Sequence, residues 1–246
     1  MKNRIPRIYI DKNLTINEKI ILNSSNTHYL INVLRMNIYN TLEIFNNTNY
    51  IFLSKIIKIE KKITTVLVVE KEKKNVESPL LIHLGLVISK NRKMHFSIEK
   101  SIELGVHTIT PIFSKYCNIN KNKKNILKKN IYWNNIIISA CQQCKRNIIP
   151  KINQVEDINI WSKKTKQDEI KIILDPRSTM SMSQLPKKIN YIKLLVGCEG
   201  GFSSLEIESA IKDKFIPIKL GPRILRTETA VIAAVTALQT KFGDFY

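Results

Sequence analysis

The hydrophobic rhythm of this chain changes once, near residue 75, and that change restricts the fold more than any other feature. Across residues 41–72 apolar side chains alternate with polar ones. Leu42, Ile44 and Tyr50–Leu53 flank an Asn46-Asn47 turn signal, and Ile56–Ile59 and Thr64–Val69 flank Lys61-Lys62. A period of two puts every second side chain on one face of a pleated strand. Upstream, His28–Met36 (HYLINVLRM) carries Leu30, Val33 and Leu34 at helical spacing. Residues 1–74 therefore read as a small β-rich barrel with one helix. Asn75–Pro79 reads as a linker, because proline removes a donor and restricts the residue before it.

Beyond residue 79 strands and helices take turns. Leu80–Ile88 has the length of a buried strand, and Met94–Leu104 is amphipathic, with Ile98 and Ile102 inward. Gly105 is placed to end that helix, and Val106–Phe113 returns to strand. Lys171–Leu174, Ile192–Val196 and Ile216–Leu220 read as further strands; Ile126–Ala140, Ser204–Lys212 and Thr229–Phe242 read as helices. Such alternation predicts an α/β domain over residues 75–246 with a mainly parallel sheet.

Charge points to a polyanionic partner. Forty Lys and Arg stand against twenty Asp and Glu, a formal net charge of +20. Ile, Asn and Lys are abundant throughout, as AT-biased codons would make them, but a uniform bias would not clear one segment of carboxylates. Between Glu103 and Glu156 no acidic residue occurs, while Lys115, Lys121, Lys123, Lys124, Lys128, Lys129, Lys145, Arg146 and Lys151 do. We read this as a surface that faces nucleic acid. No apolar run reaches membrane-span length and the N-terminus lacks a signal-peptide pattern, so the expectation is a soluble, cytoplasmic protein with no membrane partner. The four cysteines, including Cys141-x-x-Cys144, lack the second ligand pair of a zinc site and read as ordinary thiols, with no metal.

Two segments carry the chemistry. Val196–Phe202 (VGCEGGF) leaves a strand end through Gly197, Gly200 and Gly201, where glycine lets backbone approach a ligand. Ser203-Ser204 then offers a helix cap. By itself GCEGG is only a tight strand-to-helix turn; it matches neither phosphate-binding pattern, G-x-x-x-x-G-K-S/T or G-x-G-x-x-G. Leu220–Ala230 (LGPRILRTETA) is more unusual. A strand ends, Gly221-Pro222 turns, and Arg223, Arg226 and Glu228 precede a helix, TAVIAAVTAL, that is apolar nearly all round and must be buried over most of its surface.

Together, LLVGCEGGFS and LGPRILRTETA resemble the signature of the SPOUT methyltransferases and, more narrowly, of the 16S rRNA (uracil-1498 N3)-methyltransferases. RIPRIYI at 4–10, HYLINVLRM at 28–36, KMHFSIEKSIELGV at 93–106, ACQQCKRNIIP at 140–150 and LQTKFGD at 238–244 are similar to blocks of that family, in family order. The resemblance implies an α/β fold: a trefoil-knotted C-terminal SPOUT domain behind a PUA-like RNA-binding β-barrel. It also implies a homodimer that binds S-adenosylmethionine and acts on 16S rRNA of the 30S subunit. The cofactor loops it implies are Leu174-Asp175-Pro176, Leu195–Gly201 and Leu220–Thr227, with Leu174, Leu195, Gly197, Gly200, Gly201, Leu220, Gly221, Leu225 and Thr227 as contacts. Cys198 stands where the family usually has proline, and Gln142 and Lys145 where it usually has glutamate and glycine. Backbone groups do the holding, so Cys198 should soften the loop without abolishing binding.

A sulfonium methyl needs no metal, but the uracil N3 proton must leave and charge must be stabilised on the carbonyl oxygens. Arg226 is the expected positive group; Glu199 or Glu228 is the expected proton acceptor, the alternative for either being to orient Arg226 or to sit near the sulfonium. Arg4, Arg7, His28, Arg35, Lys90, Arg92, Lys93, Lys145 and Arg146 are the expected RNA contacts. The competing readings are a non-enzymatic RNA-binding or ribosome-assembly protein with both loops merely structural, and a nucleotide-binding α/β enzyme of another kind.

Overall fold

A computed structural model describes residues 5–61, 63–117 and 123–245. They form two compact units, Met1–Glu77 with Cys141–Ile149, and Ser78–Ala140 with Pro150–Tyr246.

The first unit contains β1 (Arg7–Tyr9), β2 (Lys19–Ile21), α1 (Ser24–Thr27), β3 (Thr41–Phe45), β4 (Tyr50–Glu60) and β5 (Ile63–Lys73). They pair in the order β1-β3-β4-β5-β2, antiparallel except for β1 beside β3. The alternation between residues 50 and 59 becomes one eleven-residue strand rather than two pieces, with register shifts at Leu53/Ser54 and Ile56/Lys58. Its inward side chains join Ile8, Leu42, Ile44 and Val66 in the core. The helical segment after α1 is a π-helical turn, His28–Val33, in which Leu30 is buried and Ile31 packs against the core while Val33 and Leu34 are exposed. The wider winding rotates residues out of the stripe expected of an α-helix.

Two arginines expected to meet RNA sit inside this unit. Arg7 Nε lies 3.0 Å from Glu43 Oε2, its guanidinium donates to Asn147 Oδ1 (2.5 Å) and the Cys141 carbonyl (3.3 Å), and it stacks 4.7 Å from the Phe45 ring centre. Arg146 is buried and grips Glu77 through both carboxylate oxygens. A buried guanidinium already paired with a carboxylate has little left to offer a phosphate, so Arg7 and Arg146 are internal ties and not RNA contacts. His28, Arg35 and Lys145 are exposed, and Arg4 lies outside the described residues. Burial pushes the Cys141 thiol up to about 12, which keeps it protonated.

In the second unit, β6 (Leu81–Val87), β7 (Thr108–Phe113), β8 (Lys151–Ile152), β10 (Ile170–Leu174), β11 (Tyr191–Val196) and β12 (Phe215–Ile218) form a parallel sheet ordered β12-β10-β11-β6-β7-β8, and β9 (Glu156–Asp157) extends the pairing of β7. The helices are α2 (Asn91–Glu103), α3 (Lys123–Cys144, whose last turn belongs to the first unit), α4 (Ile158–Lys163), α5 (Ser204–Lys212) and α6 (Thr227–Phe242). Gly105, at φ 86°, closes α2 as expected. The buried Gln239 amide on α6 accepts from Ser78 Oγ (2.7 Å) and donates to the Leu104 carbonyl (2.9 Å), tying α6 to the start of the sheet and the end of α2.

Lysines lie inside two of these strands. Lys171 and Lys193 are register partners on β10 and β11, both buried. Lys193 Nζ donates to the carbonyls of Trp161 (2.7 Å) and Lys164, and Lys171 Nζ to that of Ser162 (2.9 Å). The two ammoniums thus satisfy the open carbonyls at the end of α4. Burial, with Lys171 and Lys164 nearby, brings the Lys193 amine down to about 8 despite opposing Glu169 and Glu156.

Beside Lys193 on β6, His83 Nε2 sits 2.8 Å from Thr110 Oγ1 and receives the Trp161 indole N–H at 3.4 Å. Burial first, then the Lys193 and Lys166 charges, lower its pKa from 6.5 to about 3. The folded ring stays neutral while the unfolded one protonates, so stability is lost as pH falls below 6.5 toward 3. Between pH 7 and 5 His83 should cost the α/β unit about 2 kcal/mol. Urea unfolding of wild type and His83→Gln at both pH values checks this; an equal loss in the two proteins would contradict it.

Lys145, directly after α3, has φ 68°. A left-handed residue after a helix favours glycine because a Cβ crowds the preceding carbonyl. Lys145→Gly should therefore stabilise the protein by about 1 kcal/mol, read from its thermal midpoint. Nothing in the structure explains Gln142.

Candidate active site

The strands β12, β10 and β11 lie side by side and parallel, so the loops at their carboxyl ends emerge together. These loops surround one cavity of about 660 Å³, lined by Leu174–Arg177, Val196–Phe202 and, from the third, Ile218–Gly221 and Arg223–Thr227. Of the expected cofactor contacts, Leu174, Gly197, Gly200, Gly201, Leu220, Gly221, Leu225 and Thr227 line it. Leu195 does not; it lies in the core beneath, with Phe202 and Ile207. Each loop is shaped by local chemistry. Asp175 Oδ1 accepts from the Arg177 backbone N–H (3.1 Å), which closes the first turn. In the second, Gly201 N–H donates to the Cys198 carbonyl (2.9 Å), with Gly201 at φ 64°. Ser203 and Glu206 then cap α5 reciprocally. Gly221 turns the third loop at φ 84°.

Cys198 has a contact that a proline in its place would lack. Its buried thiol donates to the Tyr116 carbonyl at 3.4 Å, and burial raises its pKa. A side chain at Gly200 would bring its Cβ within 2.9 Å of Tyr116, so glycine lets the loop after β7 lie against the Val196–Phe202 loop. Tyr116 gave no signal in the sequence.

The expected chemical residues divide. Arg226 precedes α6 in extended conformation, is exposed, and lines the cavity; among the described residues it joins no ion pair. Glu199 also lines it and pairs with Lys93 at 2.9 Å. Burial would raise the Glu199 carboxyl, but the Lys93 hydrogen bond, a backbone contact and the charges of Lys93 and Lys90 outweigh it and hold the carboxyl below its ordinary value. Glu228 is not among the lining residues, and its buried Oε2 has no hydrogen-bond partner among the described residues. The structure therefore brings Arg226 and Glu199 to the cavity and leaves Glu228 behind them.

A second cavity, of about 720 Å³, shares Lys93, Cys198, Glu199 and Gly200 with the first and is further lined by Ser89, Lys90, Asn91, Lys115, Tyr116 and Lys129. Lys90 and Lys93 are thus placed together, while Arg92 is exposed and lines neither cavity.

Residues 76–239 match the RNA methyltransferase domain model, and residues 22–69 match the RNA methyltransferase PUA domain model. The chain is 59% identical over 244 residues to ribosomal RNA small subunit methyltransferase E of Buchnera aphidicola subsp. Schizaphis graminum, covering 99% of both chains. The chain belongs to the ribosomal RNA small subunit methyltransferase E family. The fold agrees. A putative methyltransferase from Legionella pneumophila, in complex with the bound cofactor S-adenosylmethionine, superimposes with a TM-score of 0.95 at 37% identity, over 98% of this chain and 99% of that one. The Neisseria gonorrhoeae family member, bound to S-adenosylmethionine, gives 0.92 at 30% identity, over 99% and 100%. The α/β unit accordingly has the SPOUT methyltransferase fold and the first unit the PUA-like one.

Proposed function

We propose that this family member transfers a methyl group from S-adenosylmethionine to N3 of uridine 1498 of 16S rRNA in the 30S subunit. The observation that carries the proposal is the convergence of three loops from adjacent strand ends on one cavity, in a chain similar to methyltransferases with S-adenosylmethionine bound. The cavity suits that cofactor. Leu174, Val196, Ile218, Leu220 and Leu225 offer apolar walls for an adenine, and Asp175 and Glu199 offer negative charge toward a sulfonium. Thr227 Oγ1, buried in its lining, has no hydrogen-bond partner among the described residues and is free for a polar group of the ligand.

When bound, S-adenosylmethionine supplies an electrophilic methyl whose C–S bond breaks with the electron pair left on sulfur. Arg226 places its guanidinium, together with the amino end of α6, where negative charge grows on the uracil carbonyls. Glu199, ionised beside Lys93, takes the proton that leaves N3 as the new C–N bond forms. Glu228 supports the start of α6 behind Arg226. In this reading residues 1–74 grip RNA through His28 and Arg35, and Lys145, Arg92 and the lysines near residue 90 add further contacts. The backbone of residues 75–246 threads its three loops as a trefoil knot, and the protein works in the cytoplasm; among the described residues no helix is long and apolar enough to cross a membrane.

The protein acts as a homodimer in this reading. Ile224, in the cofactor loop, is 86% exposed, and Ala230, Ile232, Ala233 and Ala237 leave one side of α6 only half-buried. Sedimentation should give twice the 28.5 kDa chain mass; a monomer would contradict the dimer.

Calorimetric titration with S-adenosylmethionine tests the function directly. Saturable binding to the wild type, lost when Gly221→Val strains the third loop at its φ of 84°, is expected. Absence of binding would favour the non-enzymatic RNA-binding alternative.

A further inference from the structure

The lysine-lined cavity beside the cofactor site has no role so far. We infer that it receives the flipped target nucleotide, with Tyr116 as the platform on which the uracil stacks and Ser89 as a hydrogen-bonding group that reads its edge. The inference rests on the methyltransferase reading above.

Three observations point the same way. First, the cavity and the cofactor cavity share Lys93, Cys198, Glu199 and Gly200, so a group held in one lies against the other. A methyl acceptor must occupy such a place, since transfer requires close approach of the reacting atoms. Second, the walls carry the chemistry of a nucleotide. Lys90, Lys93, Lys115 and Lys129 surround it, and among them only Lys93 forms an ion pair among the described residues, with Glu199. Lys129 donates to Asn91 Oδ1 (2.7 Å) and keeps further N–H groups for a phosphate. Third, Ser89 is 4% exposed and lines the cavity, yet its hydroxyl has no hydrogen-bond partner among the described residues. A buried hydroxyl without a partner is costly unless a ligand completes it. A uracil offers carbonyl acceptors at its edge, which the Ser89 O–H can meet.

Tyr116 is 43% exposed. Its carbonyl is held by the Cys198 thiol, Gly200 packs under its Cβ, and the backbone N–H of Lys115 next to it donates to Glu206 Oε1 (2.8 Å). The residue is thus held through its backbone, with the Lys115 ammonium 5.7 Å from the ring centre, while much of the side chain stays exposed. A base leaving its stack loses contact energy that a protein ring can return, and this exchange tolerates any planar base. Stacking by Tyr116 and edge reading by Ser89 therefore divide affinity from identity.

The test compares Tyr116→Ala, Tyr116→Phe and Ser89→Ala with the wild type, using 30S subunits that lack the methyl group and radiolabelled S-adenosylmethionine. Tyr116→Ala should lower kcat/KM for 30S subunits at least tenfold, while Tyr116→Phe stays within threefold of wild type. Ser89→Ala should lower it about tenfold. For all three the Kd for S-adenosylmethionine and the unfolding midpoint should match the wild type. A 4-thiouridine at the target position should photo-cross-link to the peptide containing Tyr116. Wild-type kcat/KM in both alanine variants, or a cross-link elsewhere, overturns the inference. Loss of S-adenosylmethionine binding in Tyr116→Ala overturns it also, because the residue would then belong to the cofactor site. A wild-type protein that neither binds S-adenosylmethionine nor transfers methyl overturns the function it rests on, and both fall.

Discussion

Arg226→Ala is expected to lower kcat for methyl transfer about 10²–10³-fold while S-adenosylmethionine binding stays within a few-fold of wild type. The reason is positional. Arg226 is exposed just before α6, lines the 660 Å³ cavity, and joins no ion pair among the described residues. Its removal therefore leaves no buried partner uncompensated and should not disturb the fold. What is lost is positive charge facing a carbonyl oxygen that becomes negative only as the proton leaves N3, an interaction made in the transition state and hardly in the ground state. Glu199→Gln should act on the same step, and with Lys93 still in place it should leave the unfolding midpoint close to that of wild type. A large rise in KM for S-adenosylmethionine with unchanged kcat in Arg226→Ala would assign the arginine to cofactor holding instead.

Arg7→Ala is the second large effect, and it falls on stability. The guanidinium is buried against Glu43, Asn147, the Cys141 carbonyl and the Phe45 ring, so truncation leaves a largely buried carboxylate with no counter-charge. Breaking such a pair costs about 3–5 kcal/mol. Chemical denaturation monitored in the first unit should show that loss, and Glu43→Gln in the same chain should recover part of it by removing the orphaned charge. A shift of under about 1 kcal/mol would mean that Arg7 is the surface residue its charge suggests in sequence.

The contrast between these two arginines shows what could be read from sequence. Arg226 was legible because its neighbours, the apolar run that ends near Ile218, Gly221 and an apolar helix, fix where it must project. Arg7 and Arg146 were not, because their partners Glu43 and Glu77 are distant in the chain and charge alone does not reveal burial. The strands β10, β11 and β12 were found from apolar runs, yet the interior Lys171 and Lys193 make sense only once α4 is present to receive them. That helix, a six-residue INIWSK, is too short and polar to leave a periodic signal. Val33 and Leu34 fitted an α-helical stripe, and π-helical winding moved them outward. Gly197, Gly200, Gly201 and Gly221 could be placed at the cavity from sequence because backbone geometry is written in the residue type. Ser89 and Tyr116 carry no such mark; their significance comes from a buried hydroxyl without a partner among the described residues and from a half-exposed aromatic side chain.

The most direct test of the central claim is nucleoside mass mapping of 16S rRNA after 30S subunits lacking the modification are incubated with the purified protein and S-adenosylmethionine. One added methyl, at N3 of uridine 1498, is the predicted result. An unmodified rRNA, or a methyl on another base or atom, would contradict it.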